Sequence, residues 1–212
     1  MLKYLIIGDA SSMHIYNYIK NVLLPNKFEV NLMTLSVKPI RNEYVEFYKA
    51  NNVSVFSVAE KGYKDLDKRD FFHRVKNLIR KYKLAASIPK CDICHIHSVY
   101  KTSLRLYLRN RKKFKKLILS YWGGDIEDTR ENVIQLRKKC FKYADAITVT
   151  VQQTYNEFIK IYGNGYNDKL SICRFATEGL ECILNLSKTT TREECRNFYG
   201  IERDKICITC GY

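Results

Sequence analysis

Residues 116–143 read "KLILSYWGGDIEDTRENVIQLRKKCFKY". The segment 116–122 is an apolar, β-prone run and predicts a strand; the stretch from about 128 to 143 reads as a helix. Between them lie the chain's only tryptophan, Trp122, the pair Gly123-Gly124, and three carboxylates, Asp125, Glu127 and Asp128. A plain turn would need only the glycines. Glu127 and Asp128 fall where acids favour the start of the next helix. That leaves Trp122, Gly123, Gly124 and Asp125 for a loop that approaches a ligand, glycine allowing close backbone approach.

The same strand–loop–helix unit recurs along the chain. Strands are predicted at 3–8, 28–35, 53–58, 91–97, 116–122, 144–150 and 170–173. Helices are predicted at 13–24, 42–51, 70–86, 101–112, 128–143 and 151–162. Strict alternation predicts an α/β fold of three layers, αβα, with a mainly parallel sheet and helices on both faces. Ligands of such sheets bind beyond the carboxyl ends of the strands, so the loops 8–14, 97–102 and 122–128 are the ones to inspect. A further helix is expected at 190–200, where Thr191 and Glu194 fit a capping box and Gly200 a C′ glycine. The last segment, "KICITCGY", reads as a strand on which the chain stops. The expected organisation is one domain over 1–200 and the start of a second at 201–212, a piece of a larger protein.

Net charge is +15 in 212 residues, and it is concentrated. Residues 61–86 contribute +6 and residues 101–116, "KTSLRLYLRNRKKFKK", contribute +8. Two basic patches on an otherwise balanced chain point to an anionic partner. In the helix at 70–86, Phe71, Phe72, Val75, Leu78, Ile79, Tyr82 and Ala86 form one face, expected to pack on the sheet. Arg74, Lys76, Arg80, Lys81 and Lys83 form the other. With Arg109, Arg111, Lys112 and Lys113 they are read as facing anionic lipid headgroups. Nucleic acid is not the expected partner, because the aromatics fall on the apolar helix faces rather than among the bases' stacking partners. No signal peptide is visible, and no run reaches the roughly 20 apolar residues of a membrane span. A reduced, cytoplasmic protein is expected, set peripherally against an inner membrane.

Cys91-x-x-Cys94 and Cys207-x-x-Cys210 have the spacing of zinc ligands, but both lie in predicted strands without the tight turn a knuckle needs. His95 and His97 share a strand face, with no carboxylate or third histidine beside them. No metal site is therefore expected. His97 ends its strand at the functional edge, whereas His95 reads as core. In "GDASSMHIYNYI", Ser11 or Ser12 caps the first helix, whose exposed amides suit an anion or a sugar hydroxyl. His14 lies one turn in. No GxGxxG fingerprint occurs.

The ordered set "GDASSMHIYNYI", "CDICHIHSVY", "LSYWGGDIED", "ADAITVTVQQTYNEFIKIYG" and "FYGIERDKICITCGY" covers nearly the whole chain. It resembles the Rossmann-like N-terminal domain of a GT-B glycosyltransferase, close to glycosyltransferase family 4 (group 1). The resemblance implies two Rossmann-like domains facing a cleft, the N-terminal one taking the acceptor and the C-terminal one the nucleotide sugar. It implies no metal and no cofactor. It implies a hexosyltransferase for bacterial surface polysaccharide or glycolipid synthesis, with a glycan or lipid-linked acceptor, and with this chain inactive alone. Ser12, His14, His97, Trp122, Gly123 and Gly124 are the implied acceptor-site residues, and Asp125 the candidate base, or an orienting group if configuration is retained. Many members place a histidine directly after the fifth strand; here Trp122-Gly123 stands there, so that histidine's role does not carry over. Two other readings remain at this stage: a non-enzymatic basic α/β domain binding nucleic acid or protein, and a GT-B-like epimerase of a UDP-sugar.

Overall fold

A computed structural model describes residues 1–36, 38–57, 71–174 and 180–206, with the side chains at 71–74, 76, 77, 81 and 180–183 outside that description. The chain divides into two compact units, 1–174 and 175–212. The first is a doubly wound α/β domain. Its strands are β1 (Lys3–Ile7), β2 (Glu29–Thr34), β3 (Ser54–Ser57), β4 (Cys91–His97), β5 (Phe114–Tyr121), β6 (Ala146–Val149) and β7 (Leu170–Ile172). Its helices are α1 (Met13–Tyr18), α2 (Asn42–Ala50), α3 (Phe71–Ala86), α4 (Lys101–Asn110), α5 (Glu131–Phe141) and α6 (Gln152–Tyr162). A π-helical turn, Ile19–Leu23, prolongs α1, and a 3-10 turn, Arg111–Lys113, prolongs α4.

The sheet runs β3-β2-β1-β4-β5-β6-β7 with every pair parallel. The chain winds outward from β1 to β3, then returns to the other side of β1 and winds outward to β7. Because crossovers between parallel strands are right-handed, reversing direction sends the helices to opposite faces. Side chains alternate across each strand, and the two cores divide accordingly. Tyr4, Ile6, Val30 and Leu32 pack with Ile15, Ile19 and Leu23 of the first helix and with Tyr44 and Tyr48 of α2. Leu5, Ile7, Cys94, Ile96, Leu119 and Tyr121 pack with Leu104 and Tyr107 of α4, Phe141 of α5 and Phe158 of α6. The direction changes between β1 and β4, so their carboxyl ends diverge into a crevice.

Three expectations need correction. The described large apolar residues of the α3 face do not lie on the sheet: Leu78, Ile79 and Tyr82 are each about half exposed (53, 51 and 48%), and Val75 is exposed too. Among the described side chains of this segment, Leu84, Ala85 and the following Ile88 join the core. Helix α5 begins at Glu131, not near 128. Asp128 instead pairs with Arg130 at 2.6 Å, and Glu131 is the acid of the first turn. Finally, the second unit contains a helix that the periodicity did not flag, α7 (Leu180–Thr189), before α8 (Arg192–Phe198). The capping box of α8 forms: Glu194 N–H donates to Thr191 Oγ1 and Thr191 N–H to Glu194 Oε2. Gly200 follows with φ +63°. The last strand of the sequence reading, with Cys207 and Cys210, falls almost wholly outside the described residues.

Gly8, just beyond β1, lets α1 and β4 close on each other. A Cβ there would collide with Ile15 Cδ1 and sit 3.2 Å from His97 Cβ. Gly8→Ala should therefore cost about 1–2 kcal/mol as an overpacking change, read as a lower urea midpoint with an unchanged m-value.

Candidate functional site

Three loops meet at the crevice: 8–12 after β1, 98–100 after β4 and 122–130 after β5. Two of them are joined by one carboxylate. Asp125 Oδ2 accepts the Val99 N–H at 2.7 Å, and Oδ1 accepts the N–H groups of Trp122 (2.8 Å) and Gly123 (3.2 Å). Asp125 is 1% exposed. Burial pushes its carboxyl above the usual range, against the pull of the backbone donors and of Arg137. The expectation that Asp125 faces the cleft is thus corrected. Both its oxygens are turned into the loops, which a carboxylate does well because it is acceptor-only and can satisfy several amides. The loop needs the help because Gly123 takes φ +112°, a conformation that suits glycine, and Ser98 takes φ +69° without being one.

A residue the sequence reading did not single out completes this tie. Arg137 of α5 is fully buried. Its Nη1 donates to Asp128 O (2.8 Å) and to Tyr162 Oη (2.9 Å), and its Nη2 donates to Asp125 O. A cation on the outer part of an amphipathic helix gives no sequence signal that it will turn inward; only the loop's free carbonyls call it there.

Behind the loops runs a buried hydrogen-bonded chain on the α1 face of the sheet. Ser120 Oγ stands between Thr148 Oγ1 (2.7 Å) and His95 Nε2 (2.6 Å). His95 Nδ1 meets Tyr4 Oη at 2.8 Å and His97 Nε2 at 3.2 Å, and Tyr4 Oη meets Tyr18 Oη at 3.0 Å. Burial pushes both imidazoles down, His95 far below its ordinary value and His97 to about 3, so both rings are neutral near pH 7. His97 Nδ1 is buried and has no hydrogen-bond partner among the described residues.

Of the expected acceptor-site residues, His14, His97 and Trp122 come together. The ring of Trp122 lies 4.8 Å from His14, edge to face, and 5.7 Å from His97. Tyr18 closes on His97 at 5.4 Å. Ser12 occupies the N-cap of α1 without a side-chain capping bond, and Gly123 and Gly124 lie in the loop that carries Trp122. Beside them opens a cavity of about 270 Å³, lined by Gly8, Asp9, Ser36, His97, Ser98 and Tyr100 among others. The neutral His97 ring, the hydroxyls of Ser36 and Tyr100, the Asp9 carboxylate and the nearby indole face suit a polyhydroxylated ligand such as a sugar, whose hydroxyls such groups can bind and whose face an aromatic ring can stack on.

The basic residues are elsewhere, on α3 and α4. Lys83, Arg109, Arg111 and Lys112 are exposed, but several are engaged. Arg109 donates to Tyr82 Oη (2.9 Å), Arg111 lies 4.7 Å over the Tyr143 ring, and Lys113 donates to the carbonyls of Ala86 and Ile88, closing the end of α3. Arg80 is half-buried. The side chains of Arg74, Lys76 and Lys81 lie outside the described residues. Cys91 and Cys94 are buried in the core, where burial pushes the Cys91 thiol up to about 11. Among the described residues no group of three or more potential ligands could hold a metal ion.

Two outcomes test this geometry. Asp125→Asn replaces one acceptor oxygen by an NH2 that faces backbone donors. It should lower stability by about 1–3 kcal/mol, whereas a cleft-facing base would lose kcat at unchanged stability; urea unfolding of the two chains decides. The histidines set an acid limit. Above about pH 6.5 they are neutral in both states; below it the unfolded chain takes up protons that the native one refuses until about pH 3. Stability should therefore fall as pH falls from 6.5, by about 1.4 kcal/mol per pH unit for each histidine. The slope should be shallower by about one proton in His97→Asn.

No curated protein matches the chain. Among solved structures, a sucrose-phosphate synthase from Thermosynechococcus elongatus is similar at 15% identity and a TM-score of 0.48, over 93% of this chain and 99% of that one. The family profile described as glycosyl transferase 4-like matches residues 3–151, which hold β1 through β6 and all three loops of the crevice. The chain belongs to the glycosyl transferase 4-like family.

Proposed function

We propose that this domain is the acceptor-binding half of a hexosyltransferase. It would move a sugar from a nucleotide sugar to a glycan or lipid-linked acceptor in bacterial surface polysaccharide or glycolipid synthesis. The observation that carries the reading is the meeting of His14, His97 and Trp122 at the carboxyl edge of the sheet, beside the 270 Å³ cavity, in a member of a glycosyltransferase family.

In this reading the acceptor hydroxyl attacks the anomeric carbon of the donor sugar and the nucleoside diphosphate leaves. The nucleotide sugar is held by a second Rossmann-like domain across a cleft. Trp122 stacks on the acceptor sugar, and Ser12 and the amides at the start of α1 take its hydroxyls. His97 Nδ1, the buried nitrogen still lacking a partner, receives a hydroxyl hydrogen bond once the His14 and Trp122 rings part. Asp125 is a positioning residue that holds the Trp122 loop, and no metal or cofactor is assigned a part. The protein works in the cytoplasm, with the basic helices α3 and α4 against the inner membrane.

The test is steady-state kinetics of the full-length protein with nucleotide sugars and a lipid-linked or glycan acceptor. Trp122→Ala removes a stacking surface worth about 1–1.5 kcal/mol. It should raise the acceptor KM by about tenfold while leaving the donor KM nearly unchanged. An unchanged acceptor KM would sink the acceptor role of the loop.

A further inference from the structure

An apolar stripe on α3 is exposed, and a groove lies beside it. Val75, Leu78, Ile79 and Tyr82 recur at i, i+3, i+4 and i+7 on α3 and are all exposed. A soluble helix normally turns such a stripe inward, and contiguous exposed apolar patches mark a partner surface. Next to the stripe, between α3 and α4, lies a groove of about 250 Å³ walled by Leu35, Leu78, Tyr82 and Leu106 and rimmed by Arg105 and Arg109. Arg109 bridges the two helices through Tyr82 Oη. Residues 101–116, the segment that holds α4, carry eight Lys/Arg, Arg105 and Arg109 among them, and no acid. The groove also leads to the candidate site: Leu35 lines both the groove and the 270 Å³ cavity, and Ser103 of the cavity neighbours Thr102 of the groove on α4.

We infer that α3 is a membrane-inserting helix: Val75, Leu78, Ile79 and Tyr82 enter the acyl boundary of an anionic phospholipid bilayer, with Arg105 and Arg109 at the phosphate level, so that the groove opens the acceptor site toward the membrane. Charge complementarity chooses the occupant. A second copy of this chain would bring the same cations against each other, whereas an anionic bilayer matches apolar stripe to acyl region and guanidinium rim to phosphate. This contact differs from one made by charged faces alone. Those are screened by salt, while burial of apolar side chains is not.

The inference rests on the membrane side of the reading above. It is tested on this chain without donor or acceptor, so its failure and a failure of sugar transfer are separate results. Sedimentation with vesicles of phosphatidylglycerol and phosphatidylethanolamine should show partition that exceeds that to phosphatidylcholine alone. Raising salt from about 0.1 to about 0.5 M should weaken it without abolishing it. Leu78→Asp/Ile79→Asp, at exposed positions that leave folding intact, should reduce partition by at least about tenfold. Ile79→Trp should be quenched by dibrominated lipid, with the wild-type chain, whose only tryptophan is Trp122, as the unquenched control. Absence of partition at low salt would overturn the inference. So would partition that salt abolishes and that the double variant retains, which would mean charge contact alone. A wild-type dimer that the double variant dissolves, with no vesicle binding, would overturn it in favour of an interface between copies.

Discussion

Two oxygens of one buried carboxylate hold together the loops at the carboxyl edge of the sheet. The loops after β4 and β5 leave neighbouring strands with backbone amides pointing inward, and neither loop has a ladder to absorb them. Asp125 takes one amide from the first loop and two from the second, and so fixes both in one geometry. An ionised carboxylate is costly in such a place without compensation. Here the compensation is backbone N–H groups on one side and the buried Arg137 on the other, which holds the carbonyls of Asp125 and Asp128. The position of Trp122 follows from this arrangement, and with it the contact between Trp122, His14 and His97.

The second constraint is the polar chain under α1. Burying two histidines, two tyrosine hydroxyls, a serine and a threonine is affordable only because each finds the next, from Thr148 through Ser120 and His95 to Tyr4 and Tyr18. A satisfied network of this kind specifies one packing and penalises others. It also leaves His97 Nδ1, near the crevice, without a hydrogen-bond partner among the described residues. The first helix thus serves two purposes. Ile15, Ile19 and Leu23 anchor it in the core, while His14 and Tyr18, on an adjoining face, reach the rings at the edge of the sheet.

The site was partly legible in the sequence for a physical reason. His97 ends β4, Trp122 directly follows β5 and His14 lies in the first turn of the helix that follows β1, and in a parallel sheet every strand end of one polarity lies at one edge. Local pattern therefore placed them together without any knowledge of packing. Asp125 stood in the same loop and was assigned outward, because sequence spacing says where a residue sits and not which way its side chain turns. Arg137, Tyr4, Ser120 and Thr148 carried no signal: each is ordinary for a helix or a strand, and each acquires its place from partners many residues away. The stripe of α3 failed for a related reason. Its 3.6-residue period is real, but periodicity reports that a face is apolar and not that a sheet lies beneath it.

The sequence by itself determined the alternation of strands and helices, the parallel sheet that follows from it, the capping box of α8 and the gathering of the loops that carry His97 and Trp122 at one edge. These depend on period, caps and chain connectivity, which act over a few residues or follow from the handedness of crossovers. Only the tertiary structure decided that Asp125 ties loops, that Arg137 is buried, that His95 joins a hydrogen-bonded chain from which His97 branches, and that α3 shows its apolar stripe to solvent. Each of these turns on the balance between desolvation and the partners available at one point in space, and that balance exists only once distant segments have been brought together.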